Sequence, residues 1–374
     1  MPAEMTRRER VERTMAFQET DRVPLYDLLR NDAAFAHFSG EALPPLSPEP
    51  ETVRELSRIS GKAVGAFLDM TRSVGFGPVE EKDTRDEYGF LMHHAPFEKT
   101  SWIVERPFND EVGAGEFLKK WILRTQEKTA AVTADPGAQR EAFHRTFLET
   151  QARIGGTVNL LTQQGVGLDE VRHLLGFELF TYLDADMPGL ISEALEAMTQ
   201  HNIAVCHAIA DPALSPVVLT FSDIAYKDRL LHSPEYLRRE IFPRIKRVNE
   251  AWHEHGLKCL FHSDGYLMEV MDDLIETGID GLNPIETLAG MSLKEIRERY
   301  GHKLFLAGGI DMSQLMSYGT PEEVRHVCRE AIRDAYPGFF MGSTTETDNS
   351  CKLENIIAMY EVAMEGVENA GGEH

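Results

Sequence analysis

The chain has 374 residues, 42% of them hydrophobic and 26% charged, the balance of a globular protein large enough to bury a substantial core. Its formal charge of −23 argues against a nucleic-acid partner, which needs clustered Lys and Arg. No run approaches the ~20 apolar residues of a membrane helix. The charged start MPAEMTRRERVERTMAF lacks a signal core, and Cys206, Cys259, Cys328 and Cys351 stand singly, so a cytoplasmic protein with reduced thiols is expected.

In chain order, residues 1–60 read as an irregular segment holding one candidate strand, RVPLYD (22–27), and a proline-rich connection over 40–50. AVGAFLD (63–69) is the next candidate strand, ending in Asp69. Residues 80–106 look like a strand-rich excursion, with His93 and His94 on its surface. TVNLLTQQ (157–164) is a further strand and FTYLDAD (180–186) a weaker one; His201 and His207 on the helix that follows read as surface.

From about residue 215 one pattern repeats: a short apolar run, a polar turn, then an amphipathic helix. The runs are PVVLTFSD (216–223), KCLFHSDG (258–265), IDGLNPIE (279–286), KLFLAGGID (303–311) and GFFMGSTTE (338–346). Helices are predicted at roughly 232–255, 266–277, 292–300 and 320–335, and LENIIAMYEVAMEGV closes the chain. Ser233-Pro234 is a cap followed by proline at the first helical position. Thr320 with Glu323 and Ser292 with Glu295 fit the reciprocal capping box, and Pro243 should kink its helix. Alternating strands and helices predict parallel βαβ units. The whole is expected to be one α/β domain, a (β/α)₈ TIM-type barrel with a decorated N-terminal half.

Several of these strands end in a titratable side chain: Asp69, Asp223, His262 with Asp264, Glu286, Asp311 and Glu346. In a barrel these ends share one rim, where such folds keep their chemistry. Singly, each acid is equally well a helix cap. His262 and Asp264 lie two apart on a strand and leave on the same face; they can ligate a metal, or act as an acid–base pair with Asp orienting the imidazole. Gly308 and Gly309 remove side chains from the mouth and leave room for a ligand. Cys351 reads as a small core residue.

The run from FSDIAYKDRLLHSPEYLRREIFPRIKRVNEAWHEHG through FHSDG, GIDGLNPIE, LAGGID, GTPEEV and LENIIAMYEVA resembles the uroporphyrinogen decarboxylase superfamily. DRVP (21–24), FLD (67–69) and DEYG (86–89) extend the likeness more loosely. The superfamily holds porphyrinogen decarboxylases and methyltransferases that serve corrinoid proteins. The decarboxylase branch implies an essential aspartate at Asp69 and substrate-holding arginines after the first strand; here Arg30 is one position out of register and Ala33 replaces a second arginine. The methyltransferase branch carries His-x-Cys-Gly where this chain has His262-x-Asp264-Gly265, a glutamate at Glu286, and a third, cysteine ligand near Thr345. The resemblance to this branch implies methyl transfer between a small methylated molecule and a corrinoid carried by a partner protein, as in O-demethylases. The leaving group is expected to be activated either by a metal, zinc held by His262, Asp264 and Glu286, or by a carboxylic acid of raised pKa, with Asp69, Asp223 and Asp311 as catalytic or pocket-shaping acids. Family members are often dimers, so a homodimer is a further expectation. The alternative is decarboxylation of a porphyrinogen or related acid, with Asp69 stabilising a protonated pyrrole; a third reading is a barrel used only for binding.

Overall fold

The computed structural model describes residues 4–366. Eight extended segments, with 158–164 taken as one, close a parallel ring. Gln163–Gln164, Val217–Phe221, Lys258–His262, Gly281–Asn283, Phe305–Ala307 and Phe339–Phe340 form one six-stranded sheet in that order. Met70–Thr71 pairs with Val158–Asn159, which leads into Gln163–Gln164 through bonds from Leu161 N to Val217 O and from Leu219 N to Thr162 O. The segment 24–26 closes the ring through bridges from Leu25 to Met341 and from Tyr26 to Met70. The fold is a TIM-type barrel.

The interior follows from the two-residue period of the strands. Val217, Leu219, Leu260, Phe305 and Phe340 point inward, and Val11 and Met15 of the Arg7–Met15 helix join the same cluster. Val218, Cys259, Phe261 and Leu306 point outward under the helices. Two glycines are required by close approach. A Cβ on Gly281 would meet the Phe305 ring at 2.3 Å, and one on Gly342 would meet Tyr26 O at 1.8 Å, where the ring closes.

The helix starts follow local chemistry. Ser233 accepts from Tyr236 N, and Thr320 with Glu323 makes the full capping box. Ser292 accepts from Glu295 N, half of the expected pair. Before Pro243 the helix takes a π-helical turn, Leu237–Ile241, which absorbs the missing N–H.

The first half departs from expectation. AVGAFLD is not a strand: its residues 63–67 end the Pro50–Phe67 helix, with Ala63, Val64 and Phe67 buried at helical spacing. The strand begins at Met70. FTYLDAD likewise lies in a helix, Phe177–Asp186. The segment 1–60, expected to be irregular, contains the helices Arg7–Met15 and Asp32–Ser39 and most of a third. Lys82–Arg85, Leu91–Ala95 and Thr100–Glu105 form a separate antiparallel sheet. Its turn is held against the barrel by a Lys99–Asp32 ion pair of 2.9 Å and by Asn349 donating to Phe97 O at 3.0 Å. Among the described residues no helix is long and apolar enough to cross a membrane.

Candidate active site

His262 closes the Lys258–His262 strand with its ring turned into the barrel, 6% exposed. Asn283 Nδ2 donates to Ala307 O at 3.1 Å, which turns the amide oxygen toward His262 Nδ1, 2.8 Å away. Nδ1 therefore carries the proton and Nε2 the lone pair. Arg72, at the end of Met70–Thr71, sits at the ring edge with Nη1 3.2 Å from Nδ1 and 3.4 Å from Nε2, while Nη2 donates to Thr345 O at 3.2 Å. Burial, then the Arg72 charge, pushes the imidazole down to about 3. It is neutral across the physiological range.

Asp264 leaves the same face two residues on. Burial first, then Asp223 and Glu286, raise its carboxyl to about 7, against Arg72 and the Thr345 hydroxyl 3.3 Å from Oδ1. Near neutrality it is close to half protonated. Asp223 is also raised, chiefly by burial. Its backbone N–H is held by Asp169 Oδ1 at 3.1 Å, and Asp169 is in turn held by Arg172 at 2.6 Å. Glu346 is raised by burial despite Arg30 at 3.1 Å and Arg72. One free-standing guanidinium thus faces a ring of acids, each less willing to ionise than in water. Among the described residues the Tyr26 hydroxyl, buried and within the field of Arg72, has no hydrogen-bond partner.

Ligand atoms of Asp223, His262 and Asp264 lie within 4.8 Å of one another. This group contains two of the three ligands expected from sequence, His262 and Asp264, with Asp223 beside them; the third expected ligand, Glu286, accepts from Gly265 N at 2.7 Å. Gly265, at φ +88°, passes so close that a Cβ would meet Tyr226 N at 2.7 Å. One imidazole nitrogen and two carboxylate oxygens suit zinc. The Asn283 contact on Nδ1 is the kind of support that orients a ligating histidine. Arg72 covers Nε2 and must swing aside for an ion to enter.

Other expected site residues fall elsewhere. Asp69 precedes its strand and so lies at the opposite end of the barrel, wholly buried and bound by Arg10, by both terminal nitrogens of Arg22 and by Leu25 N. Asp311 caps the turn Met312–Met316, accepting from Ser313, Gln314 and Leu315 N–H groups. Gly308 and Gly309, at φ +94° and +103°, make room for protein: added Cβ atoms would meet Ser343 O at 2.9 Å and Leu293 at 3.0 Å. The Cys351 thiol is buried, with Sγ 4.0 Å from Met312 O. Arg72 escapes a reading from sequence because the apolar run before it, 63–69, resembles the strand that in fact occupies Met70–Thr71.

The closed parallel barrel and the imidazole–carboxylate group at the C-terminal ends of its strands define an enzyme-like TIM barrel with its chemistry at the mouth. Residues 145–366 match the sequence model of uroporphyrinogen decarboxylase (URO-D), and the chain belongs to that family. A methyltransferase from Methanosarcina mazei shares the fold at a TM-score of 0.67 and 16% identity, with 97% of this chain and 99% of that chain covered. A xylose isomerase-like TIM barrel protein from Mycobacterium smegmatis, in complex with magnesium, aligns at a TM-score of 0.33 and 12% identity over 68% of this chain and 90% of that one, too distant to carry an argument. No curated protein sequence matches the chain.

Proposed function

We propose that the protein is a methyltransferase that takes the methyl group of a small methyl ether, methylamine or similar molecule and passes it to a corrinoid held by a partner protein. The observation that carries this reading is the pairing of a neutral imidazole with a carboxyl raised to about 7 on one buried rim. An ether oxygen or amine nitrogen is a poor leaving group until it is protonated or bound to a Lewis acid. Asp264 supplies the proton: as the methyl–oxygen bond breaks, its electron pair goes to oxygen and the Asp264 proton follows. Arg72 offsets the carboxylate left behind, and Tyr26 is free to hydrogen-bond the substrate. Were zinc held by Asp223, His262 and Asp264, Asp264 would be ionised and the metal, in place of the Asp264 proton, would supply the acidity on that oxygen. The corrinoid, when bound, supplies the nucleophile. The fold shared with a methyltransferase is consistent with this assignment.

Decarboxylation of a pyrrolic acid is the second reading. It is favoured by Arg72, which among the described residues has no carboxylate within ion-pair distance and is placed to receive one from a substrate. The surrounding acids oppose a heavily carboxylated substrate, and Asp69 is at the wrong end of the barrel for that chemistry. Purified protein with a reduced corrinoid protein and a panel of methyl ethers, methylamines and methylthiols should transfer methyl from at least one member. Turnover of a porphyrinogen, with every member of the panel inert, would overturn the assignment.

A further inference from the structure

Two helices end side by side on the face of the barrel opposite the mouth. Pro188–Ile209 runs there before the Val217–Phe221 strand, and Phe242–Glu254 before Lys258–His262. The last turn of the first carries Cys206 and His207; the residue capping the second is His255. His207 Nδ1 lies 3.0 Å from His255 Nε2, with the rings inclined at 60°. The Cys206 thiol joins them, the three ligand atoms all within 4.8 Å of one another.

The geometry points to a second metal site here, in which Cys206, His207 and His255 bind a divalent transition metal, zinc above all, and staple the two helix ends together. Two imidazole nitrogens and a thiolate are donors that zinc prefers. Tetrahedral bonds of about 2.0–2.1 Å place two nitrogens about 3.3 Å apart, close to the separation observed. Both helices direct the negative ends of their dipoles at this spot, and Glu254 acts on both Cys206 and His255. The opposing cation is Arg140, itself drawn to Asp211 at 3.1 Å. The neighbouring group His253, Cys259 and Asp280 lacks this freedom: Asp280 already accepts from His253, Lys258 and Cys259 N.

Binding is balanced in protons. The thiol proton leaves to solvent, and the N–H shared between the rings moves to the outer nitrogen of the donor ring. One proton is therefore released per ion. The fourth position is open to water. Nothing in the mouth chemistry depends on this site.

The test uses the full chain, stripped with a chelator and titrated with Co²⁺. The expected result is a thiolate-to-cobalt charge-transfer band with one proton released per thiolate-bound ion; in His262→Gln, which lacks the mouth imidazole, it should saturate at one ion per chain. Zn²⁺ should displace the cobalt and raise the melting temperature. The band should persist in His262→Gln and Cys351→Ser, which alter the mouth and its last loop, and vanish in Cys206→Ser. Because Cys206 is buried, His255→Gln at the partly exposed position is the second variant; it should fold and weaken cobalt binding by more than about tenfold. Absence of a thiolate band overturns the proposal. So does a band that is lost in Cys351→Ser, or one that survives in His255→Gln at unchanged affinity.

Discussion

Removing the Asp69 carboxylate should damage the fold rather than the chemistry. The carboxylate is 0% exposed and bound by Arg10 Nη1 at 2.7 Å, Arg22 at 2.7 and 2.8 Å, and Leu25 N at 2.9 Å. In Asp69→Ala, Arg10 keeps Asp21 at 2.7 Å through two nitrogens. Arg22, 15% exposed, has no other acid among the described ion pairs. Breaking a buried pair from one side costs about 3–5 kcal/mol. Arg10 retains a partner and Arg22 reaches some water, so the lower end, about 3 kcal/mol, is expected. With a urea slope of about 3 kcal/mol/M, the unfolding midpoint should fall by about 1 M. Turnover per folded molecule should stay within about twofold, since the residue lies at the far end of the barrel from His262. An unchanged urea midpoint together with lost turnover would refute this and return Asp69 to the chemistry.

Asp264 has a folded pKa of about 7, above the unfolded carboxyl value of about 3.9. The folded state therefore holds the extra proton, and this group's contribution to stability falls as pH rises from about 4 to about 7. Asp264→Asn should gain stability relative to the parent over that window, by urea titration at each pH, while losing turnover by about 10²–10⁴-fold; an unchanged pH slope refutes the placement. In the parent, turnover should decline as pH rises through about 7, and a flat profile would count against Asp264 as the acid. Gly342→Ala should cost at least about 3 kcal/mol, because its Cβ would meet Tyr26 O at 1.8 Å; a stable variant would contradict the closure at Leu25–Met341. Cys351→Ser should change turnover less than tenfold, about 1.4 kcal/mol in the barrier, and a larger loss would bring the thiol into the site.

The second half of the chain is the more legible because four of its barrel strands, Val217–Phe221, Lys258–His262, Gly281–Asn283 and Phe305–Ala307, are three to five residues long. His262 and Asp264 stood out because a five-residue strand fixes which side chains share a face. The first half was not legible for a physical reason. Met70–Thr71 is two residues long, too short to show alternation, and the apolar end of the preceding helix imitates a strand. That displaced the rim by three residues, promoting Asp69 and hiding Arg72. Asp311 was read as a rim acid because a cap and a catalytic acid look alike in sequence; three N–H groups on its carboxylate decide for the cap. Asp223 reached the site, but its partnership with His262 depends on pairing between Val217–Phe221 and Lys258–His262, which one sequence does not display.

The seam of the ring is sewn between the two ends of the chain. Asp27 accepts from Ser343 N, Ser343 Oγ and Thr347 Oγ1, and Asn31 donates to Asp348 O and Cys351 O, all across more than 300 residues. At a synthesis rate of about 5–20 residues per second, roughly 16–64 s separate the emergence of Asp27 from that of Thr347. Through that interval Leu25 and Tyr26 have no strand to pair with on one side, and the interior apolar layer stays open along one edge. A chain built this way is an unfinished barrel until its last strand emerges, and its slowest contacts to form are expected to be those that unite its first strand with its last.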